Sequence, residues 1–308
     1  MTETSPEREK VLGTAAGFAS YLLWGFLPLY FVILAPTGPW EVVAWRIILS
    51  LAFCAILLTI TRGWSRMVRV LRTLRLALLT ALAGVLVYVN WQVFLVAAQT
   101  GRVLEASLGY FINPIMTVLL AVVFLRERIR ALQWAAIGIA AVAVIVIIVA
   151  YGSVPWLSII LTCSFGAYGL VKNRIGHAVD AVSGLALETL WLTPVATVIL
   201  IVVGVAGGGI TFGTVGGWHT LALALAGVVT AVPLLLFASA TRRVSLSTIG
   251  LLQFAAPILQ FVCGAFILGE PMPPERWIGF GIVWVAAIVL AADVVLHSRR
   301  PAAVVESA

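Results

Sequence analysis

The chain has 308 residues, of which 62% are apolar and 10% charged, with a formal net charge of +7 and a mean hydropathy of +1.13. Soluble domains carry about 25% charged residues, so this composition describes a polytopic membrane protein. At ~20 residues per crossing plus short loops, roughly ten helices use up the length and leave no room for a soluble catalytic domain.

Ten apolar runs can be drawn in chain order, at 11–34, 40–61, 76–99, 103–125, 131–150, 155–171, 179–204, 218–240, 245–268 and 276–296. The first is longer than the apolar core of a signal peptide and is expected to remain as a membrane helix. It carries Ser20, Trp24 and Pro28 at i, i+4 and i+8. The second holds Arg46, about six residues in, or ~9 Å from its boundary at 1.5 Å per residue. The third contains Asn90, Trp91 and Gln92 in a row. At most two of these are expected to face inward, and Asn90 is the chosen one.

In the fourth run Ser107, Tyr110, Pro114 and Thr117 fall at i, i+3, i+7 and i+10, on one helical face. Glu105 at its start can pair with Arg102 at i, i+3. The sixth run repeats the first run's spacing with Ser164, Tyr168 and Lys172. The seventh holds Glu188, about nine residues in, or ~14 Å from the other boundary. A connector from 204 to 217 contains seven glycines and reads as flexible, not as a phosphate loop, because no Lys-Ser/Thr follows it. The ninth run repeats the polar face of the fourth with Gly250, Gln253, Pro257 and Gln260.

A polar face on a membrane helix points to protein or to water, since lipid cannot satisfy its hydrogen bonds. Cavity lining and helix-to-helix packing are the two readings of these faces. Arg46 and Glu188 are each costly inside the membrane, by ~2.5–3.5 kcal/mol at a helix centre. Their depths differ by less than ~10 Å in a core of ~30 Å, which allows a buried pair. Such a pair is either structural or part of proton coupling or anion attraction. Glu127 and Glu270 are read as structural caps. Cys54, Cys163 and Cys263 lie in apolar runs and read as small buried hydrophobes. His177, His219 and His297 are too scattered for a metal site, so neither metal nor cofactor is expected.

With the N-terminus in the cytoplasm, sixteen of the 19 Lys and Arg residues fall on the cytoplasmic side, two (Arg102 and Arg276) fall outside, and Arg46 lies within a helix. This asymmetry predicts cytoplasmic termini and explains the positive charge without nucleic acid. Residues 81–147 align without a gap on 224–290 at a spacing of 143, placing Gly84 on Gly227, Phe111 on Phe254, Pro114 on Pro257, Glu127 on Glu270 and Trp134 on Trp277. Five helices per copy is an odd number, so the copies enter the membrane from opposite sides, and any shared site falls near mid-depth between them.

Five segments closely resemble the RarD-type branch of the EamA family, within the drug/metabolite transporter superfamily. They are LEASLGYFINP (104–114), YVNW (88–91), SFGAYGLVKNRIG (164–176), LETLWLTPVA (187–196) and VSLSTIGLLQF (244–254). The resemblance spans about residues 10–297. It implies an all-α fold of ten transmembrane helices in two inverted EamA repeats, 11–150 and 155–297, around a cavity lined mainly by helices 1, 3, 4, 6, 8 and 9.

The combined expectation is a secondary transporter in the bacterial cytoplasmic membrane that exports a small organic metabolite or drug. Its cavity residues are Trp24, Asn90, Ser107, Tyr110, Asn113, Tyr168, Gln253 and Gln260. Its partners are that substrate, the lipid bilayer and a coupling ion, with a proton as the candidate. A membrane enzyme is the rival class, and it would need a His, Asp or Cys cluster at one depth. Oligomeric state is not readable: Gly13 with Gly17, and Gly279 with Gly281, suit packing either within or between chains.

Overall fold

The computed structural model describes residues 6–298 apart from 127–128, 152–153, 177, 242 and 245. All regular structure among these residues is helical. In order the helices are α1 (Pro6–Ile33), α2 (Pro39–Ile60), α3 (Trp64–Arg72), α4 (Leu74–Gln99), α5 (Val103–Leu125), α6 (Ala131–Tyr151) and α7 (Trp156–Ile175). After these come α8 (Ala181–Ala206), α9 (Gly217–Ala224), α10 (Ala226–Thr241), α11 (Leu246–Leu252), α12 (Ala255–Val262), a π-helical stretch Cys263–Ile267, and α13 (Pro274–Ser298).

Eight helical segments are long and apolar enough to cross a membrane, counting α9 with α10 as one. This is a multi-pass membrane protein. The two remaining apolar runs are built differently. The 20-residue α7 ends in Lys172, Asn173 and Arg174. The ninth run is broken at Gln253 and Phe254, between α11 and α12. Pro257 accounts for that break, because its ring crowds the carbonyl four residues back, which is that of Gln253. Pro114 in α5 occupies the matching position, yet that helix continues from Val103 to Leu125.

The main core joins α1, α2, α4, α5, α7, α8 and α10. Two smaller clusters hold α5 against α6, α12 and α13. The outward faces stay apolar: Val205 is 85% exposed and Val149 77%. That pattern suits lipid, where apolar exposure costs nothing. The short α3 is amphipathic, burying Met67 and Val70 while presenting Arg66, Arg69 and Arg72. It marks an Arg-rich end of the bundle, shared with Arg130, Lys172 and Arg243.

Close helix crossings depend on glycine. A Cβ on Gly13 would lie 2.5 Å from the Arg243 Cβ, and one on Gly17 3.0 Å from Leu252. Both small residues therefore pack within the chain. Gly279 likewise accommodates Ile147 on α6, whereas a Cβ on Gly281 would meet nothing within 4 Å. Cys54 and Cys263 are buried as expected, but Cys163 is exposed, because it lies on the outward face of α7.

Candidate functional site

Asn90 is the hub of the bundle's middle. Its Nδ2 donates to the Leu161 carbonyl at 3.1 Å and to Ser164 Oγ at 3.3 Å, and its Oδ1 accepts from the Tyr110 hydroxyl at 2.8 Å. One side chain thus ties α4 to α5 and α7. Trp91 and Gln92 are buried as well, contrary to the expectation that only two of the three residues could point inward. The reason is that α4 packs against α1, α2, α5, α7 and α8, leaving it little lipid-facing surface at this level. Neither polar atom of Gln92 has a partner.

The polar faces of the fourth and ninth runs divide between packing and unsatisfied groups. Ser107, fully buried, donates to the Pro257 carbonyl at 2.8 Å. That contact is helix-to-helix packing. Pro28 has no N–H, which frees the Trp24 carbonyl four residues back, and Gln260 Nε2 donates to it at 3.2 Å. Gln260 Oε1 and Asn113 Oδ1 are buried without partners. Gln253 lies half-buried in the helix break. Trp24 packs with Tyr21 and Phe237. A separate series of ring contacts runs from Phe31 through Phe94, Tyr110 and Phe165 to Tyr168, with centroids 5.6–6.0 Å apart.

The two intramembrane charges do not pair with each other. Arg46 faces α10 and α4: its Nε donates to Thr230 Oγ1 at 2.7 Å, and its guanidinium carbon lies 4.2 Å from the Trp91 ring centre and 5.4 Å from that of Phe31. Among the described residues no carboxylate reaches it. Glu188 instead faces α7, accepting from Lys172 Nζ at 2.7 Å and the Tyr168 hydroxyl at 3.1 Å. The expected pair does not form, because each side chain faces a different neighbouring helix. Two cation–π contacts, each worth up to about 2 kcal/mol when desolvated, offset a cost of ~2.5–3.5 kcal/mol for the arginine. They leave its outer N–H groups without an acceptor.

Lys172, on the same helical face as Ser164 and Tyr168, reaches Glu188 rather than a loop. Two further charged side chains are new to the structure. Asp293, fully buried, pairs with Arg130 at 2.5 Å; a lone acid near the end of the tenth apolar run is the signal for it. Glu41, 2% exposed, accepts from Thr211 N at 2.9 Å, Phe212 N at 3.2 Å and Trp45 Nε1 at 3.2 Å. Its carboxylate pins the glycine-rich connector, and Phe212 stacks on Trp45 at 4.5 Å. That connector is anchored rather than free.

The two ends of the bundle differ. At the end opposite the Arg-rich one, Thr37 meets Thr211 at 2.6 Å and His219 at 2.8 Å, and Gln99 bonds the carbonyls of Phe31 and Thr37. Glu270 caps α5 through the N–H groups of Val103 and Leu104, as expected; its repeat partner Glu127 lies outside the described residues. Arg102 pairs with Glu105 at 2.5 Å, again as expected. At the Arg-rich end a cavity of about 460 Å³ opens between α1, α2, α8 and α10, with Glu9, Arg66, Asp180 and Arg243 in its wall. Burial raises the Asp180 pKa, but hydrogen bonds from Ser183 N and Oγ at 3.0 and 2.8 Å, with the nearby Arg66 charge, hold it below the ordinary carboxylate value.

The EamA-like transporter family matches residues 11–149 and again 153–292. Protein RarD of Streptomyces exfoliatus is 42% identical over 302 residues, covering 98% of this chain and 95% of that protein. The uncharacterized transporter YojE of Bacillus subtilis (strain 168) is 39% identical over 284 residues, covering 91% and 93%. A solved crystal structure, 19% identical, superposes with a TM-score of 0.59 over 92% of this chain and 98% of that one, which shows a shared fold. With family matches over both halves and relatives aligned over nearly the whole length, this chain belongs to the EamA-like transporter family.

Proposed function

We propose that this protein is a secondary transporter of the bacterial cytoplasmic membrane that exports a small organic metabolite or drug. In this reading α7 and the α11–α12–π segment complete ten crossings, and residues 11–150 and 155–297 form inverted repeats that exchange conformations around a central cavity.

The observation that carries the reading is a mirrored pair of helix crossings. Gly84 brings the α4 backbone onto Glu188 of α8, where a Cβ would lie 3.0 Å from the carbonyl oxygen. Gly227, its counterpart 143 residues on, brings α10 onto Leu49 and Ser50 of α2, where a Cβ would lie 2.9 Å from the Ser50 nitrogen. The hydrogen bonds mirror too: Ser20 of α1 donates to the carbonyl of Pro233, the repeat counterpart of Asn90, while Asn90 itself donates to Ser164 of α7. Contacts of α1 with α10 and α12 match those of α7 with α4 and α5.

The cavity at the Arg-rich end and the hydrogen-bonded closure at the other support an inward-facing arrangement. The excess of Lys and Arg on that end supports a cytoplasmic location for it. Glu188, a buried intramembrane carboxylate held by Lys172 and Tyr168, is the candidate proton carrier.

The test is a comparison of metabolites inside and outside cells with and without the protein, followed by transport in proteoliposomes with and without a pH gradient. Equal metabolite distributions and no flux would refute the transport reading. Orientation is tested separately after removal of the native cysteines. Ser65→Cys and Gly176→Cys should be shielded from an impermeant thiol reagent in intact cells, and Gly208→Cys should react.

A further inference from the structure

We infer that Arg46 is the recognition group for an anionic substrate, so that the cargo is an organic oxyanion, a carboxylate or phosphate, carried on an aromatic or otherwise planar body. This inference rests on the transport reading and specifies its substrate class. Arg46 is 4% exposed and sits where α1, α2, α4 and α10 meet, within electrostatic reach of Tyr30 and Tyr110. Of its five N–H donors only the Nε donor has a partner, Thr230 Oγ1. Its outer nitrogens make no hydrogen bond to any described residue.

The nearby carboxylates are committed elsewhere. Glu188 is held by Lys172 and Tyr168, and Glu41 by Thr211, Phe212 and Trp45. A buried cation is normally paired, and a guanidinium fork matches the two oxygens of a carboxylate or phosphate. The described residues therefore supply the cation and orient it, but supply no counter-charge.

The surroundings define the rest of the ligand. Trp91 and Phe31 flank the guanidinium, and the ring series Phe31, Phe94, Tyr110, Phe165 and Tyr168 leads from it toward α7. Such rings favour a flat apolar body over a polyhydroxylated one. Nearby, Ser50 Oγ, one turn from Arg46 on the same face of α2, is fully buried without a partner and can donate to a second oxygen of the anion.

The experiment uses the purified full-length protein and thermal stabilisation by a panel of probes: 4-hydroxybenzoate, indole-3-acetate and phenyl phosphate, each beside a neutral isostere such as 4-hydroxybenzamide or indole-3-acetamide. The wild-type protein should be stabilised by the anions and bind them at least ~10-fold more tightly than their neutral partners. 4-Hydroxybenzoate against phenyl phosphate distinguishes carboxylate from phosphate.

Arg46→Lys keeps the charge without the fork and should weaken anion binding by about 10-fold, while Arg46→Gln should abolish the discrimination. The wild-type comparison stands even if a variant fails to fold. Neutral probes binding as well as anions, no stabilisation by any anion up to about 10 mM, or discrimination surviving in Arg46→Gln would each overturn the inference. Flux of the probes in proteoliposomes separates the two claims. Arg46-dependent binding without flux rejects transport alone, whereas flux that ignores the anionic group rejects this inference alone.

Discussion

Replacing Lys172 by methionine is the sharpest test of how charge is held in this bundle. Glu188 is fully buried and accepts two hydrogen bonds, at 2.7 Å from Lys172 and 3.1 Å from Tyr168. Removing one member of a buried ion pair costs ~3–5 kcal/mol because the other charge is left uncompensated. One feature lowers that figure here: the Lys172 side chain is 30% exposed, so water reaches the vacated corner. About 2–3 kcal/mol remains for Lys172→Met.

Glu188→Gln should cost less, about 1–2 kcal/mol, since the stranded ammonium can turn toward the Arg-rich end and water. Additivity would put the double variant at about 3–5 kcal/mol. A direct pair puts it near the cost of the glutamine change alone, a coupling of ~2 kcal/mol. Thermal midpoints in detergent, followed by helical circular dichroism, resolve this at roughly 2 °C per kcal/mol. Arg46→Met combined with Glu188→Gln should be additive within about 0.5 kcal/mol. Strict additivity in the lysine cycle, or coupling in the arginine cycle, would refute the assignment of partners.

Adding side chains at the mirrored crossings should be costly on both sides: Gly84→Val and Gly227→Val should each lose about 1–3 kcal/mol by overpacking, while Gly281→Ala should be near neutral in the same thermal assay. Asp180→Ala should cost about 1 kcal/mol at pH 7 by removing the α8 cap. Because the folded-state pKa of Asp180 is depressed, its contribution is present above the ordinary carboxylate value and is lost as pH falls below about 4. The difference in midpoint between wild type and variant should shrink there. Tyr110→Ala and Gln253→Ala should each reduce flux in proteoliposomes at unchanged expression, with Thr248→Ala affecting it less. Equal flux in all three would assign that face to helix packing.

Much of this protein was legible in sequence because membrane insertion is a local property. Whether a segment of 20 residues prefers lipid depends on its own side chains, so the runs for α1, α2, α4, α5, α6, α8 and α13 coincide closely with helices. The Arg102–Glu105 pair spans one helical turn and needs no tertiary information. The 143-residue spacing already aligned the two glycines that later prove to be crossings.

Only the tertiary structure decided which polar groups meet. Periodicity places a residue at a depth and on a face of its own helix, but not opposite a particular neighbour. The sequence put Arg46 and Glu188 within ~10 Å of each other in depth, yet one turns to Thr230 and Trp91 and the other to Lys172 and Tyr168. The same limit hid the closure of the end opposite the Arg-rich one, where buried Glu41 captures Thr211 and Phe212 from a connector about 170 residues away. It also concealed the helix break before Pro257 against the continuous helix at Pro114. Each outcome depends on which helices become neighbours, and in a bundle that is set by packing around every helix at once.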